Sequence, residues 1–391
     1  MNNKKNYKKG YKNEIIQLIY LCGLVPYRSL RLLADHPQLY QRAVKDLTEE
    51  KILTDDKKGG ERNIRLQDRR RKKEEYEPYI PSEYIEYYEE ESRLVLRRLG
   101  ENDYTSAKKE IRNSDTKVMM YAAGIDISPD KRDLETEMIE KDDCGYYGST
   151  EFKSVIGYQA SVTNESRNKK EISQKILNSR VNGLLISPGG TYAVYNIGKE
   201  LIEWRRKGEL KMASAISALM RSISAEKYSV TSKKECIIIA QTHTQYIHIC
   251  NNTNEKRPYK INHINIDYTY DRVYAVPDNR DGVKLLAIMK RRNWKEIILD
   301  SILTKEERRN ALNTNIDCDG YDSETELSKL IFCIPDLVKL KNFVKRALIE
   351  DDKEKFKVYC FTNQLPLITG FANNSVQISC VEFDKYIERY F

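Results

Sequence analysis

The chain has 391 residues, 40% of them hydrophobic and 32% charged, and a net charge of +8; this describes a soluble globular protein with room for two or three cores. No apolar run approaches the roughly 18–20 residues of a membrane span, the eight cysteines include no Cys-x-x-Cys pair, and three of the four histidines fall within residues 243–263, which excludes a bilayer helix and a zinc site of ordinary spacing. Residues 1–73 hold 19 Lys and Arg against 9 Asp and Glu, a net of +10, while the other 318 hold 48 against 50, a net of −2, so a basic module suited to a polyanion precedes a near-neutral body.

Residues 1–12 read as a basic disordered arm, and the amphipathic pattern after them argues against a secretory signal. With thiols expected to be reduced, the expected location is the cytoplasm. A helix is predicted over residues 13–24, with Ile15, Ile16, Leu18, Ile19 and Leu21 on one apolar face. After a break at Val25-Pro26, residues 27–33 give a second, brief helical pattern. A third helix is predicted over residues 36–50, with Asp35 as N-cap, Pro37 in the first turn and Gln38 three residues on. Leu39, Ala43, Val44 and Leu47 form its buried stripe, and Gln41, Arg42 and Lys45 its outer face. Residues 51–54 and 62–66 read as strands of a hairpin about a turn at 55–60.

Three helices followed by a basic hairpin is the order of a winged helix-turn-helix, and residues 13–68 resemble that family of DNA-binding domains. The resemblance implies that the third helix enters the major groove and that the hairpin lies along the backbone or minor groove. Gln41, Arg42 and Lys45 would then face base edges or phosphates, and Lys57, Lys58, Arg62 and Arg65 would meet phosphates. Arg69, Arg70 and Arg71 extend the same basic surface. Winged helices also dock proteins, so a protein-binding module is the alternative for this segment.

Residues 69–116 read as a charged linker and helix. Within it, residues 74–91 hold eight Glu, five Tyr and no Lys or Arg, which describes a solvated segment turning helical near Ser82. The sharper alternative is an acidic run that folds back on the basic module and competes with DNA.

Residues 117–391 read as a mixed α/β domain with room for two subdomains. Strands are predicted at 118–122, 183–187, 192–196, 236–240, 246–250, 272–276, 330–333, 358–361 and 376–381, with Pro188-Gly189-Gly190 turning one hairpin. Helices are predicted at 170–178, 199–222, 281–292, 305–312, 335–348 and 383–390.

Chemistry is sparse in this body. Glu151-Phe152-Lys153, with Asp126 or Asp130 upstream, matches the carboxylate-and-lysine pattern of a Mg²⁺-dependent, restriction-endonuclease-like nuclease, in which two carboxylates hold the ion and the lysine activates water. A charged element edge explains the same residues without catalysis. His243 and His248 would lie on opposite faces of a strand, Pro188-Gly189-Gly190 lacks the lysine of a phosphate loop, and Asp278, Asp281 and Asp300 read as helix caps. No catalytic residues and no cofactor are expected, Mg²⁺ entering only with the nuclease alternative.

Residues 146–153 (YYGSTEFK), residues 179–185 (SRVNGLL) and residues 192–196 (YAVYN), with Trp204, resemble stretches of uncharacterised proteins of Gram-positive plasmids and conjugative elements akin to the replication-relaxation group, which also begins with a winged helix. The resemblance implies an accessory DNA-binding protein of replication, transfer or transcription control. The expected partners are double-stranded DNA, a second copy of the chain and a mobile-element protein, with no membrane.

Overall fold

Apolar residues at helical spacing build the N-terminal unit. In the computed structural model, α1 (Asn2–Cys22) buries Ile15, Ile16, Leu18 and Ile19. It stops at Gly23, whose φ of 82° gives the left-handed turn that closes a helix. The segment expected as a disordered arm is therefore helical from Asn2 onward. The residues described are 2–33, 37–58, 60–67, 79–80, 104–128, 144–149, 179–199, 206–224, 234–251 and 269–391. They divide between two compact units, the first comprising Met1–Ile139, Cys144–Val155 and Asn182–Leu185, the second the rest.

In the first unit, β1 (Val25–Pro26), a 3-10 turn (Tyr27–Ser29) and α2 (Leu30–Leu33) lead to α3 (Pro37–Glu49), β2 (Leu53–Lys58) and β3 (Glu61–Leu66). Helix α3 buries Tyr40, Ala43, Val44 and Leu47; Asp35, its expected cap, lies outside the described residues. The strands form an antiparallel sheet in the order β1-β3-β2. Residues 55–58, expected in the turn, extend β2, because Asp56, Lys57 and Lys58 fall in register with Asn63, Arg62 and Glu61. The expected turn is thereby shortened, and Gly60 just before β3 stands at φ 81°.

Helix α4 (Tyr104–Ala122) belongs to this unit, so the boundary expected at residue 117 falls inside it. The apolar run at 118–122, expected as a strand, is its last turn. Val118, Met119 and Met120 are buried there as α4 packs on α1, α2 and β1. Two polar anchors fix that packing. Asp115 accepts from Ser29 Oγ at 2.5 Å and Arg28 at 2.7 Å, and Glu14 accepts from Tyr40 at 2.7 Å and Tyr121 at 3.0 Å. Burial first, and Glu14 second, push the Tyr40 hydroxyl far above its ordinary value. Strand β4 (Gly145–Gly148) and the start of β5 (Gly183–Ser187) also belong to this unit.

The second unit takes the end of β5 through the Pro188-Gly189 turn into β6 (Gly190–Gly198), followed by α5 (Arg206–Ser224). Strands β7 (Glu235–Ala240) and β8 (Arg272–Pro277) pair in parallel with β6 in the order β6-β7-β8. Every residue of β7 is buried, as a parallel strand covered on both faces requires. Between them, α6 (His243–Asn251) replaces the strand expected at 246–250. Its Gln245 side chain accepts from the backbone N–H of Gln241 and Thr242, both at 3.0 Å, and so secures the start of the helix.

Helices α7 (Arg280–Met289), α8 (Trp294–Ile302) and α9 (Lys305–Ala311) then lead to β9 (Gly320–Asp322) and β10 (Leu327–Ile331). Helix α10 (Leu337–Glu350) crosses to β11 (Phe356–Phe361), α11 (Leu365–Ala372) crosses to β12 (Gln377–Val381), and α12 (Phe383–Tyr390) ends the chain. The order is β12-β11-β10-β9, with only the β9/β10 pair antiparallel. The fold is thus mixed α/β, as the sequence predicts. Helices α8 and α11 had no counterpart among the expected elements, and the strand expected at 330–333 lies earlier, in β10.

Candidate nucleic-acid interface

The outer face of α3 follows from its buried one. With Tyr40, Val44 and Leu47 turned inward, Gln38, Gln41, Arg42 and Lys45 are exposed. They line one side of an open groove of about 670 Å³, whose other side is formed by Tyr27, Asp55 and Arg62. The hairpin register explains why Arg62 reaches it. Lys57 stands opposite Arg62 and Asp55 opposite Ile64, so Asp55, Lys57 and Arg62 share one face of the hairpin.

The cations of the groove differ in their partners. Arg42 makes no ion pair or hydrogen bond among the described residues. Lys45 lies 3.8 Å from Glu49 one helical turn on, both exposed. Arg62 donates to the same Asp55 oxygen at 2.6 and 3.1 Å and stacks over the Tyr27 ring at 3.9 Å. The hydrogen bond to Asp55 raises the Arg62 pKa above its ordinary value. Donors on Gln41, Arg42, Lys45 and Arg62 around one opening, with Arg62 held by its partners, suit oxygen acceptors such as phosphates or base edges.

The expected contacts do not all converge. Arg65 has the other parity along β3 and is half-buried, 3.4 Å from both oxygens of Glu110 on α4. It is a fastening of the unit rather than a member of the groove. Lys57 is exposed on the groove side of the hairpin. Lys58 belongs to β2 at the position paired with Glu61, and its side chain lies outside the described residues, as do Arg69, Arg70, Arg71 and the acidic run at 74–91. Tyr27 and Thr48, which the sequence did not single out, line the groove, as does Gln38, expected only in a capping role. Tyr27 directly after Pro26 was a readable signal, because an aromatic ring at a turn can support a neighbouring guanidinium.

The nuclease pattern is not assembled among the described residues. Asp126 Oδ1 accepts from Ser128 N at 2.8 Å and Ser128 Oγ at 3.0 Å, while Asp130, Glu151 and Lys153 lie outside the described set. No group of three or more His, Cys, Asp or Glu among the described residues could hold a metal ion. His243 and His248 stand on α6 rather than on a strand, and burial lowers the His243 pKa. Asn279, not Asp278, caps α7, accepting from Gly282 N at 3.1 Å; Asp278 accepts from Gln241 at 3.0 Å, and Asp300 on α8 engages Arg308. Among the described residues no helix is long and apolar enough to cross a membrane.

Comparison with family models, with curated proteins and with solved structures gives no match to this chain.

Proposed function

We propose that the first unit is a winged-helix module that binds double-stranded DNA through α3 and the β2–β3 hairpin. The chain then acts in the cytoplasm as an accessory or regulatory protein of a mobile element, its α/β body serving for dimerisation or for a mobile-element partner. One observation carries the reading: Arg42, Lys45 and Arg62, from two elements, line a single open groove together with Gln41. Two half-sites bound by a dimer would multiply the modest affinity of one such module.

The test is duplex binding by the full chain, measured by fluorescence anisotropy at several salt concentrations. Each phosphate contact contributes about 0.9 to the slope of log affinity against log salt. Changing Arg42 and Lys45 together to alanine is expected to weaken binding and lower the slope by about two contacts. An unchanged slope sinks the proposal.

The protein-docking reading has its own support. Glu49 and Asp55 stand in the same groove as Lys45 and Arg62, and such mixed charge suits a polar peptide as well as a phosphate. A protein partner would be retained nearly independently of salt, where DNA would be released.

A further inference from the structure

Neighbouring parallel strands put in-register side chains on one face, and β11 and β12 place Cys360 opposite Cys380 in this way. Their sulfurs are 3.9 Å apart. Strand spacing of about 4.8 Å lies within the Cα separation of about 4.4–6.8 Å that a disulfide tolerates. Small rotations about the two Cα–Cβ bonds can therefore bring the sulfurs to bonding distance without moving either strand.

The two thiols differ in access. Cys380 is exposed on β12, the edge strand, while Cys360 is fully buried on β11. Burial first, and the Cys380 sulfur second, push the Cys360 thiol well above its ordinary value, so it gives up its proton only as it reacts. The neighbouring Cys333 thiol, also buried, donates to the Tyr359 carbonyl at 3.9 Å instead. An exposed thiol 3.9 Å from a second one pairs a sulfur that peroxide can reach with a neighbour placed to resolve it.

We propose that Cys360 and Cys380 form a peroxide-responsive dithiol whose oxidation to a disulfide ties the edge strand β12 to β11. In the first step the Cys380 sulfur attacks a peroxide oxygen; the O–O bond breaks, a sulfenic acid forms, and the leaving hydroxide takes the thiol proton as water. In the second step the Cys360 sulfur attacks the Cys380 sulfur; the S–O bond breaks and hydroxide leaves with the Cys360 proton as a second water. Two electrons pass from the thiols to one peroxide, and an external dithiol reverses the change.

The experiment treats the full chain with hydrogen peroxide, blocks remaining thiols with maleimide and maps non-reduced peptides by mass. The expected result is a peptide pair joined through Cys360 and Cys380, lighter by two hydrogens and restored by dithiothreitol, with maleimide labelling lost at both positions. The join persists in Cys333→Ser and disappears in Cys380→Ser. In Cys360→Ser a sulfenic acid should be captured at Cys380 by dimedone. Dimedone capture at Cys380 of the unaltered chain without a joined peptide overturns the proposal. So does a join made through Cys333, or a Cys380 left intact while the other thiols oxidise.

Discussion

Arg62–Asp55 in the first unit and Lys295–Glu235 in the second are the same kind of ion pair set in opposite surroundings. The Arg62 and Asp55 side chains are 47% and 38% exposed. Exposed pairs contribute only about 0.2–1 kcal/mol, so a phosphate can displace the Asp55 carboxylate at little cost. Glu235 is 4% exposed and accepts from Lys295 at 2.9 and 3.0 Å and from Tyr274 at 3.2 Å, with Arg272 at 3.7 Å. The carboxylate is shielded from solution while its cations are 21% and 27% exposed, and the cluster fastens β7, β8 and α8 to one another. Burial, rather than charge, separates a binding cation from a structural one.

The comparison breaks first at Glu235. Truncating one partner of a buried pair leaves the others uncompensated, at about 3–5 kcal/mol. Glu235→Ala should lower the urea midpoint of the full chain accordingly and leave duplex binding unchanged under folding conditions. A loss typical of an exposed pair would show that the cluster is fastening nothing.

Asp336, the N-cap of α10, is the acid of the same region and is held near 6. Burial raises it most, opposed by Arg272 and then by the backbone N–H groups of Val273, Lys339 and Val338. The folded chain thus binds this proton more tightly than the unfolded chain does. Its contribution is complete below the ordinary carboxylate range near 4 and is lost as pH rises through 6, a change on the order of 2–3 kcal/mol. Asp336→Asn should flatten the pH dependence of the urea midpoint between pH 4 and 7. An equal dependence in both proteins would remove Asp336 as its source.

In the exposed pair the two partners should have opposite signs. Arg62→Ala is expected to weaken duplex binding and to reduce the salt slope by about 0.9. Asp55→Asn frees the guanidinium and lifts a repulsion, so it should strengthen binding roughly twofold to fivefold at low salt, the range that exposed-pair energies allow. Weakening by both changes would make the pair a structural clasp, like its buried counterpart.

Part of this was legible in the sequence. The stripe of Val44 and Leu47 announced α3 and put Arg42 and Lys45 outside, because a 3.6-residue period leaves no other choice. The run at 118–122 misled because a short apolar stretch fits a buried helical turn as well as a strand. The helix at 243–251 did carry a signal, Thr242 followed three residues later by Gln245, the spacing of a reciprocal cap. Ion-pair partners were not legible. Arg28 meets Asp115 across 87 residues and Arg65 meets Glu110 across 45, and no local pattern encodes such distances.

Arg65 is the smallest and most selective probe of the distinction. It carries the same charge as Arg62 three residues along the same strand, and a count of charge treats them alike. Its guanidinium is directed to Glu110, and the pair is about three-quarters buried. Arg65→Ala should therefore cost a few tenths to about 1 kcal/mol in the stability of the first unit and leave the slope of duplex affinity against salt unchanged. If the slope falls by the same amount as for Arg62→Ala, phosphate reaches both faces of the hairpin and the groove is only part of the interface.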